Sequence, residues 1–420
     1  MIPWTTIDHE DMGAWEVLSL FVTRDTVLPV LRALDERPAA TAGRLVGRLD
    51  STISRSTLDD TIEYLGKYGF VATTEHDSAD EGDSKAEAEG KGTSSSERFE
   101  TTLLGKYALD IYDDLVAALS VEGVEVLARS ESAVPVLTEL ESDPTTPKTL
   151  ERTSAVEASL TTINRRLRDL REQGWISRTS PYELTDAGKQ ALDTYRGFAR
   201  DLECVIDRAE LLQSFRLDPM AVEALHGTTI YEGSGSNPDA PTKAFAGAIH
   251  SELNSARGIT PVVVKDYVDG FIPLVKAGAS VELIMDEATI AAFRMDFPLG
   301  YALASCSSNV SLLVHPEPIS FGIATLGDEE AWIGAYDSNG RHRATLRGTN
   351  DELLDWAHDQ IDAHREQAYA DPESVTTALW DSLTKHIPVV APIADDPNDT
   401  DESRSLLSAS ADRARSWTED

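Results

Sequence analysis

The chain has 420 residues, of which 41% are hydrophobic, so it is long enough for two or three domains that each bury a core. Its formal net charge is −36, because 73 acidic residues stand against only 37 Lys and Arg. No apolar run is long enough to span a bilayer, and the acidic N-terminal stretch lacks the basic start of a secretory signal. We therefore expect a soluble, cytoplasmic protein without a membrane partner.

The excess of acidic residues has two interpretations. Only 10 of the basic residues are Lys, and an acidic, lysine-poor composition is typical of proteins that work in molar salt, where like charges are strongly screened. The alternative is an acidic surface directed at a basic partner. Because the acidic residues are spread over the whole length, we favour adaptation to salt, and local departures from the acidic composition become informative.

The sequence contains two cysteines, Cys204 and Cys306, about a hundred positions apart. Neither has a second thiol or a histidine at the spacing of metal ligands. We therefore predict no disulfide, no metal site and no cofactor.

Two segments of the first half resemble each other. EVLSLFVTRDTVLPVLRALDERP, from Glu16, aligns with VEGVEVLARSESAVPVLTELESDP, from Val121. The difference in residue number between aligned positions is 106 at the prolines and 105 from Leu45 to Gly69. It falls to 83 where FETTLLGKYAL aligns with YELTDAGKQAL. The last drop gives the first copy 22 extra residues, within TTEHDSADEGDSKAEAEGKGTSSSER. This stretch has almost no apolar residues, so we expect a disordered insertion at about 75–97.

Each copy predicts three helices, a β-hairpin and a further helix. In the second copy, the first helix ends at Asp143-Pro144, a short helix follows around TPKTLERTS, and a third helix ends at Gly174. Residues 175–178 and 181–184 predict two short strands around a tight turn, and LTDAGKQALDTY returns to helix. This order is typical of a winged helix, and it occurs twice.

The third helix of the second copy is unusually basic for so acidic a chain. Ser159 is its predicted N-cap, and Leu160, Ile163, Leu167 and Leu170 form one apolar stripe. Thr161, Arg165 and Arg168 lie opposite that stripe, flanked by Thr162 and Asp169. Short polar residues permit close approach to base edges, and Arg can bind guanine or phosphate with two hydrogen bonds. We therefore predict that this helix enters the major groove of double-stranded DNA.

The predicted DNA-binding set also includes residues outside this helix. Lys148, Arg152 and Arg178 extend the basic track to the preceding helix and the wing, and residues 148–178 carry seven basic against four acidic side chains. The full predicted set is Lys148, Arg152, Ser159, Thr161, Thr162, Arg165, Arg168 and Arg178. In the alternative interpretation, the arginines only pair with Asp169 and Glu172 on a solvated helix face.

The first copy has a different charge. Residues 39–71 carry four basic and four acidic side chains, and Asp59 and Asp60 lie on the third predicted helix, where DNA phosphate would be near. We therefore expect the second copy to bind DNA directly. The first copy is either an accessory DNA-binding unit or a dimerisation unit.

SLTTINRRLRDLREQGWI followed by YELTDAGKQAL resembles the winged-helix domains of archaeal transcription regulators. The related set is haloarchaeal proteins that couple such a domain to a sensor domain of the methanogenesis-regulator (FilR-like) type. The resemblance covers about residues 121–370. The family usually has one winged helix, so the duplicated copy departs from its pattern.

From Gly227 onwards, strand-like segments such as ITPVVV, VELIMD and NVSLLVH alternate with helical ones and predict an α/β layered domain. The order PDAPTKAF, ITPVVV, VELIMDEATI and PISFGIATLGDEEAWIGAYDSNGR resembles the FilR-like sensor, which is similar in architecture to the phospholipase-D-type scaffold. The His-x-Lys signature of that scaffold is absent, because neither His250 nor His315 has Lys two positions later. The resemblance therefore implies a sensor that does not catalyse, and we predict no catalytic residues.

Lys265 and Asp266 follow the predicted strand ITPVVV and are the candidate ligand-binding residues. Ligand pockets of such sheets lie at the carboxyl ends of strands. The alternative is a plain helix N-terminus, with Asp266 stabilising the helix dipole.

The predicted fold class is therefore α+β and α/β, with two tandem winged helix-turn-helix domains followed by an α/β layered sensor domain. The expected divisions are 1–118, 119–200, a helical connector at 201–226, the sensor at 227–370 and a partly disordered extension at 371–420. We expect a DNA-binding transcription regulator, not an enzyme, that forms a homodimer and is modulated by a small-molecule effector or by dimerisation. The alternative is a protein-interaction or dimerisation adaptor built on winged helices without direct DNA binding.

Overall fold

The periodic apolar positions of the first half form helices, and the alternating segments of the second half form a large sheet. The computed structural model describes residues 12–37, 40–49, 53–74, 97–212, 219–337 and 339–371. The predicted insertion and C-terminal extension lie outside the described residues, apart from Glu97 and Asp371. The predicted class of mixed helices and strands is confirmed, and the sheet of the second half is open and mixed.

The described helices are α1 (Ala14–Thr23), α2 (Val27–Asp35), α3 (Ala42–Val46), α4 (Arg55–Lys67), α5 (Leu103–Ala128), α6 (Ala133–Ser142), α7 (Pro147–Leu150), α8 (Leu160–Glu172), α9 (Asp186–Ile206), α10 (Ala209–Leu212), α11 (Ala240–Ala248), α12 (Lys265–Lys276), α13 (Glu287–Asp296), α14 (Pro298–Cys306) and α15 (Asp351–Gln367). The described strands are β1 (Ala40–Thr41), β2 (Val71–Thr74), β3 (Arg98–Thr101), β4 (Thr229–Glu232), β5 (Ser255–Ile259), β6 (Ser280–Asp286), β7 (Val310–His315), β8 (Phe321–Leu326), β9 (Glu330–Tyr336), β10 (His342–Gly348) and β11 (Tyr369–Ala370). In the described part of the chain, no helix combines the length and apolar character needed to cross a membrane.

The two copies differ in their hairpins. In the first copy β1, β3 and β2 form a three-stranded antiparallel sheet. In the second copy the strands predicted at 175–178 and 181–184 are reduced to two isolated bridges, Thr145 with Tyr182 and Ile176 with Leu184. Pro181 has no N–H to donate to a ladder, which limits pairing across this turn.

The segment α5 consists of two helices that meet at Ser120, whose backbone is not helical (φ 66°, ψ 163°). The part before Ser120 is the last helix of the first copy, and the part after it is the first helix of the second copy. The predicted boundary at 118/119 falls within α5, beside this break. The α5 helix packs along α9, and α1 contacts both of them. The Trp15 indole N–H also donates to the Leu127 carbonyl at 3.3 Å. The buried side chains of both copies therefore form one continuous core.

A pair of Thr–Gly contacts, Thr102 with Gly105 and Thr185 with Gly188, fixes the last helix of each copy. Each Thr hydroxyl caps its helix by accepting from the Gly N–H, at 3.1 Å in both copies. Each hydroxyl also donates to the carbonyl of the glycine that follows the third helix, Gly69 at 2.6 Å and Gly174 at 2.8 Å. The Thr–Gly contacts therefore hold α4 against α5 and α8 against α9.

The glycines of these contacts are needed for space. A Cβ at Gly105 would lie 2.4 Å from the carbonyl oxygen of Phe70, and one at Gly188 would lie 2.1 Å from that of Trp175. Both distances are far below van der Waals contact, and the neighbour is rigid backbone. The aligned motifs GFV/GWI and LGKYAL/AGKQAL thus encode the same close approach in both copies.

An eight-stranded sheet in the order β11-β7-β6-β5-β8-β9-β10-β4 forms the second half. Strands β5, β6 and β7 are parallel, and the remaining neighbours are antiparallel. The α15 helix packs on one face, whereas α11–α14 cover the other. Along β9 the sides alternate, so that Ile333 joins the core on the α15 side and Trp332 packs beside Leu274 of α12.

The strand predicted for ITPVVV is wrong in position. The ladder ends at Ile259, and residues 260–264 leave the sheet. Pro261 has no N–H for a ladder bond, and the Thr260 hydroxyl bonds locally with Val262, donating to its carbonyl at 2.7 Å. The β-branched residues that predict a strand here instead line the space beneath α12.

Arg208 joins the helices of the second copy to the sheet. Its buried guanidinium donates to the Cys204 carbonyl at 2.7 Å, and to the hydroxyl and carbonyl of Thr228 at 2.7 and 2.8 Å. Thr228 directly precedes β4. The end of α9 is therefore bonded to the start of the sheet through one fully engaged side chain.

We predict that Gly188→Ala lowers the free energy of unfolding by about 1–3 kcal/mol, because the added methyl overlaps the Trp175 carbonyl. Gly197 lies in the same helix with nothing within 4 Å of an added Cβ. Gly197→Ala should therefore stabilise by about 0.5–1 kcal/mol through helix propensity. Urea unfolding in high salt measures both, and equal effects of the two substitutions would contradict the prediction.

We also predict a pH effect from His342, which is buried at the start of β10. Burial lowers its pKa to about 4, whereas an unfolded chain would have a pKa of about 6.5. Between these values the unfolded state binds a proton that the folded state does not. The free energy of unfolding should therefore fall by roughly 2 kcal/mol more in wild type than in His342→Phe between pH 7.5 and pH 5. Parallel pH curves for the two proteins would contradict this.

Candidate nucleic-acid interface

The start of α8 is fixed by side-chain hydrogen bonds. The Ser159 hydroxyl accepts from the Thr162 N–H at 3.3 Å, and the Glu151 carboxylate accepts from the Leu160 N–H at 3.1 Å. Ser159, a predicted DNA-binding residue, thus uses its hydroxyl to cap the helix. The half-buried Thr162 side chain lies 3.1 Å from the same hydroxyl. Both residues therefore position the helix start.

The outer face of α8 is open to solvent. Ile163, Leu167 and Leu170 are buried, whereas Thr161, Arg165 and Arg168 are exposed. The ion pairs of α8 involve Arg166 and Arg168, and Arg165 has none with the described residues. Arg165 therefore presents all its hydrogen-bond donors to a partner.

Arg166 does not belong to this outer face. Its side chain is only 5% exposed and donates to the Asp169 carboxylate at 3.1 Å. Burial lowers its pKa from the usual value, and the neighbouring charge of Arg165 acts in the same direction. The position of Arg166, three residues after Ile163 and one before Leu167, is the sequence signal for this burial. The cluster of four arginines is therefore partly structural.

Arg168 is partly neutralised by acidic neighbours. Its guanidinium lies 3.5 Å from the Asp169 carboxylate and 4.0 Å from that of Glu172. These are the pairs of the alternative interpretation. With the Arg168 side chain 57% exposed, such pairs contribute little energy and can be exchanged for phosphate.

Basic side chains also surround α8. Lys148 on α7, Arg152 after α7 and Arg178 in the hairpin turn are exposed, and none of them pairs with an acidic group in the described part of the chain. The α7 helix contacts α8. Three neighbouring elements thus carry cations that are available to an anionic partner.

The first copy presents acids at the equivalent positions. With the offset of 105, Arg165 corresponds to Asp60 and Arg168 to Glu63, and both acids are exposed on α4. Its nearby Arg24 lies over the Tyr64 ring, 3.8 Å from the centroid. The outer face of α4 therefore repels phosphate, in contrast to that of α8.

Lys265 and Asp266 lie at the start of α12 and are exposed. Lys265 pairs with Asp269, one turn later. Asp266 lies in the first turn, where a negative charge stabilises the helix dipole. Neither residue lines the space beneath α12.

We predict that Asp169→Ala lowers the free energy of unfolding by about 1–3 kcal/mol, because it leaves the buried Arg166 guanidinium without its acceptor. Glu172→Ala removes an acid of the same helix from an exposed pair and should change stability by less than about 1 kcal/mol. Urea unfolding compares them, and an Asp169→Ala protein as stable as Glu172→Ala would exclude the structural role of this pair.

Several known structures are distantly similar to this chain. TrmBL2, described as an archaeal chromatin protein with a novel mode of DNA binding, is 12% identical over 62% of this chain and 99% of its own, with a TM-score of 0.28. Nuc of Salmonella typhimurium, a phospholipase D family member, is 15% identical over 34% of this chain and 97% of its own, with a TM-score of 0.28. NucT of Helicobacter pylori is 13% identical over 34% and 98%, with a TM-score of 0.29. At these scores the likenesses support no conclusion on fold or function.

Family models match two adjoining segments, whereas no curated protein matches the chain. Residues 121–207 match the model described as the HVO_A0261 N-terminal domain, and this segment contains α6–α9. Residues 238–367 match the model described as the middle domain of the methanogenesis regulatory protein FilR1, and this segment contains α11–α15. The α/β half of the chain is thus similar to the middle domain of a regulatory protein.

Proposed function

We propose that the chain is a transcription regulator that binds double-stranded DNA through α8 of the second copy. The proposal rests on one observation: the Arg165 side chain is exposed and forms no ion pair with an acidic side chain among the described residues. Thr161, one turn earlier, is small and permits close approach to base edges. In this proposal Arg165 and Arg168 contact bases, and Lys148, Arg152 and Arg178 contact phosphates.

The charge distribution supports one orientation on DNA. With a net charge of −36 the protein repels a polyanion over most of its surface, and the segment 148–178 is locally basic. Among the surfaces that the structure describes, an approach with α7, α8 and the hairpin turn towards the duplex reduces that repulsion. In our proposal the chain works in high salt, where screening weakens both the repulsion and the phosphate contacts, so base contacts of Arg165 gain relative weight.

The first copy serves in this proposal as a scaffold. It shares the α5–α9 core with the second copy, and the carboxylates of Asp60 and Glu63 on its α4 repel phosphate.

Two chains in a homodimer would then present two α8 helices to half-sites about 34–36 Å apart. The α/β half would adjust that spacing through the Arg208 contacts between α9 and β4.

We also propose that the α/β half senses and does not catalyse. The histidine and lysine pair of the phospholipase-D-type scaffold is not formed by His250 or His315. His315 is buried, and its Nδ1 lies 3.0 Å from the Glu317 carbonyl oxygen. A histidine in this setting has a structural explanation within β7.

The test is a pair of substitutions on α8. Arg165→Ala should weaken binding to a duplex recovered by chromatin occupancy mapping by about 1–3 kcal/mol, because a bidentate base contact is lost. Arg171→Ala removes the same charge from an exposed position near the apolar stripe and should leave the affinity close to wild type. Fluorescence anisotropy titrations at several salt concentrations measure both.

Equal losses for the two variants would indicate general electrostatic attraction and contradict docking through the Arg165 face. Recovery of stable protein complexes without any DNA occupancy would favour the adaptor function, for which the acidic face of α4 is the candidate surface.

A further inference from the structure

An apolar cavity of about 100 Å³ lies between the sheet and the helices α11–α14. Aromatic side chains make up much of its wall: Phe245, Tyr267, Phe271, Phe293, Trp332 and Tyr336. Aliphatic residues of β6 and α12 complete the wall. The cavity is formed by residues from all three buried clusters of the α/β half, so it belongs to the interior of this domain and is separate from α8.

The cavity has a polar end at His342, whose Nε2 lacks a hydrogen-bond partner among the described residues. Tyr267 Oη lies 2.8 Å from His342 Nδ1, and the Tyr336 ring stacks on the imidazole with centroids 4.6 Å apart. His342 is 6% exposed, and its Nε2 is buried without a hydrogen-bond partner among the described residues. A buried polar atom without a partner is destabilising, and a bound group that pairs with Nε2 would remove that cost.

Glycines let the His342 and Tyr336 side chains pack directly against the backbone of the sheet. Gly334 lies in the middle of β9, where its Cβ would be 2.9 Å from Nε2 and 3.1 Å from Tyr336 Oη. Gly322, its register partner on β8, would place a Cβ 3.1 Å from the same hydroxyl. Neither glycine has the positive φ that would explain its presence in a strand. Glycine inside a strand weakens it and often marks a place where another group approaches closely.

The cavity offers no charge for an ionic ligand. Arg257 is the cationic residue along its wall, and its guanidinium is already bonded to Glu282 at 2.9 Å and to Asp362 at 2.5 Å. Both acids lie on the opposite side of the sheet, towards α15. His342 is neutral at neutral pH, because burial lowers its pKa to about 4. An anionic carboxylate would therefore lose its hydration without compensation.

We propose that this cavity binds a neutral molecule about the size of one aromatic ring, with a single hydroxyl that pairs with His342 Nε2. The volume sets the upper limit of one aromatic ring, because the cavity of about 100 Å³ is smaller than the apolar cavity of roughly 150 Å³ that binds benzene. The aromatic wall favours a flat ring, which packs by stacked and edge-to-face contacts. A hydroxyl can donate or accept, so it satisfies Nε2 in either tautomer of the imidazole.

The position of the site connects it to the rest of the chain. His342 begins β10, which pairs with β4 and contacts α10, directly after α9. A ligand that orders this end of β10 would bias the Arg208 contacts at the start of β4. Binding itself requires neither DNA nor α8, so the inference stands or falls independently of the proposed regulator function.

The experiment titrates full-length protein with phenol, benzene and benzoate by isothermal calorimetry, without DNA. Phenol should bind with a stoichiometry of one per chain, benzene roughly 3- to 10-fold more weakly because it lacks the hydroxyl, and benzoate should not bind. Absence of saturable phenol binding, or equal affinities for phenol and benzoate, would overturn the proposal.

Two variants then locate the ligand. His342→Phe keeps a ring stacked on Tyr336 but removes Nε2, so phenol and benzene should bind it with equal affinity. Gly334→Ala places a methyl 2.9 Å from Nε2, which displaces the imidazole from its position against β9 and should weaken phenol at least tenfold. Circular dichroism checks that each variant is folded, and the comparison of phenol with benzene on wild type decides the matter if a variant does not fold. Unchanged preference for phenol in folded His342→Phe would overturn the assignment to this cavity.

Discussion

The close approach of a backbone carbonyl to a helix is the constraint on which both copies of the first half depend. Where Trp175 follows α8, its carbonyl lies so near α9 that only glycine fits at position 188. The Thr185 hydroxyl completes the contact by bonding Gly174 and Gly188 together. Because this contact holds α8 against α9, it also sets the orientation of α8 and the direction in which Arg165 points. The outward basic face is therefore a product of packing on its opposite side.

Much of this arrangement could be predicted from local sequence. The stripe through Ile163, Leu167 and Leu170 gives the buried side of α8, and Ser159 and Gly174 give its ends, because capping and periodicity act within a few residues. The alternation of strands and helices in the second half likewise gives the fold class. Such signals are reliable where the environment of a residue is set by its near neighbours in sequence.

The other features of the structure could not be predicted from local sequence, because they depend on contacts between residues that are distant in sequence. Arg166 lies beside the apolar stripe in sequence, but the depth of its burial depends on how α8 packs against the rest of the copy. The segment after Ile259 has the composition of a strand but is bent away by Pro261 and Thr260. The cavity brings together Tyr267 and His342, which are 75 positions apart. Neither residue has a local pattern that indicates a site.

The junction of the two helices of α5 at Ser120 has a consequence for how the chain can be divided. The buried residues Leu115, Val124 and Leu127 lie on either side of the break in α5, and all belong to the core shared with α9. Cutting between the sequence repeats would leave each fragment with a bare apolar groove of the kind that drives aggregation. Each of the two similar segments therefore shares part of its buried core with the other.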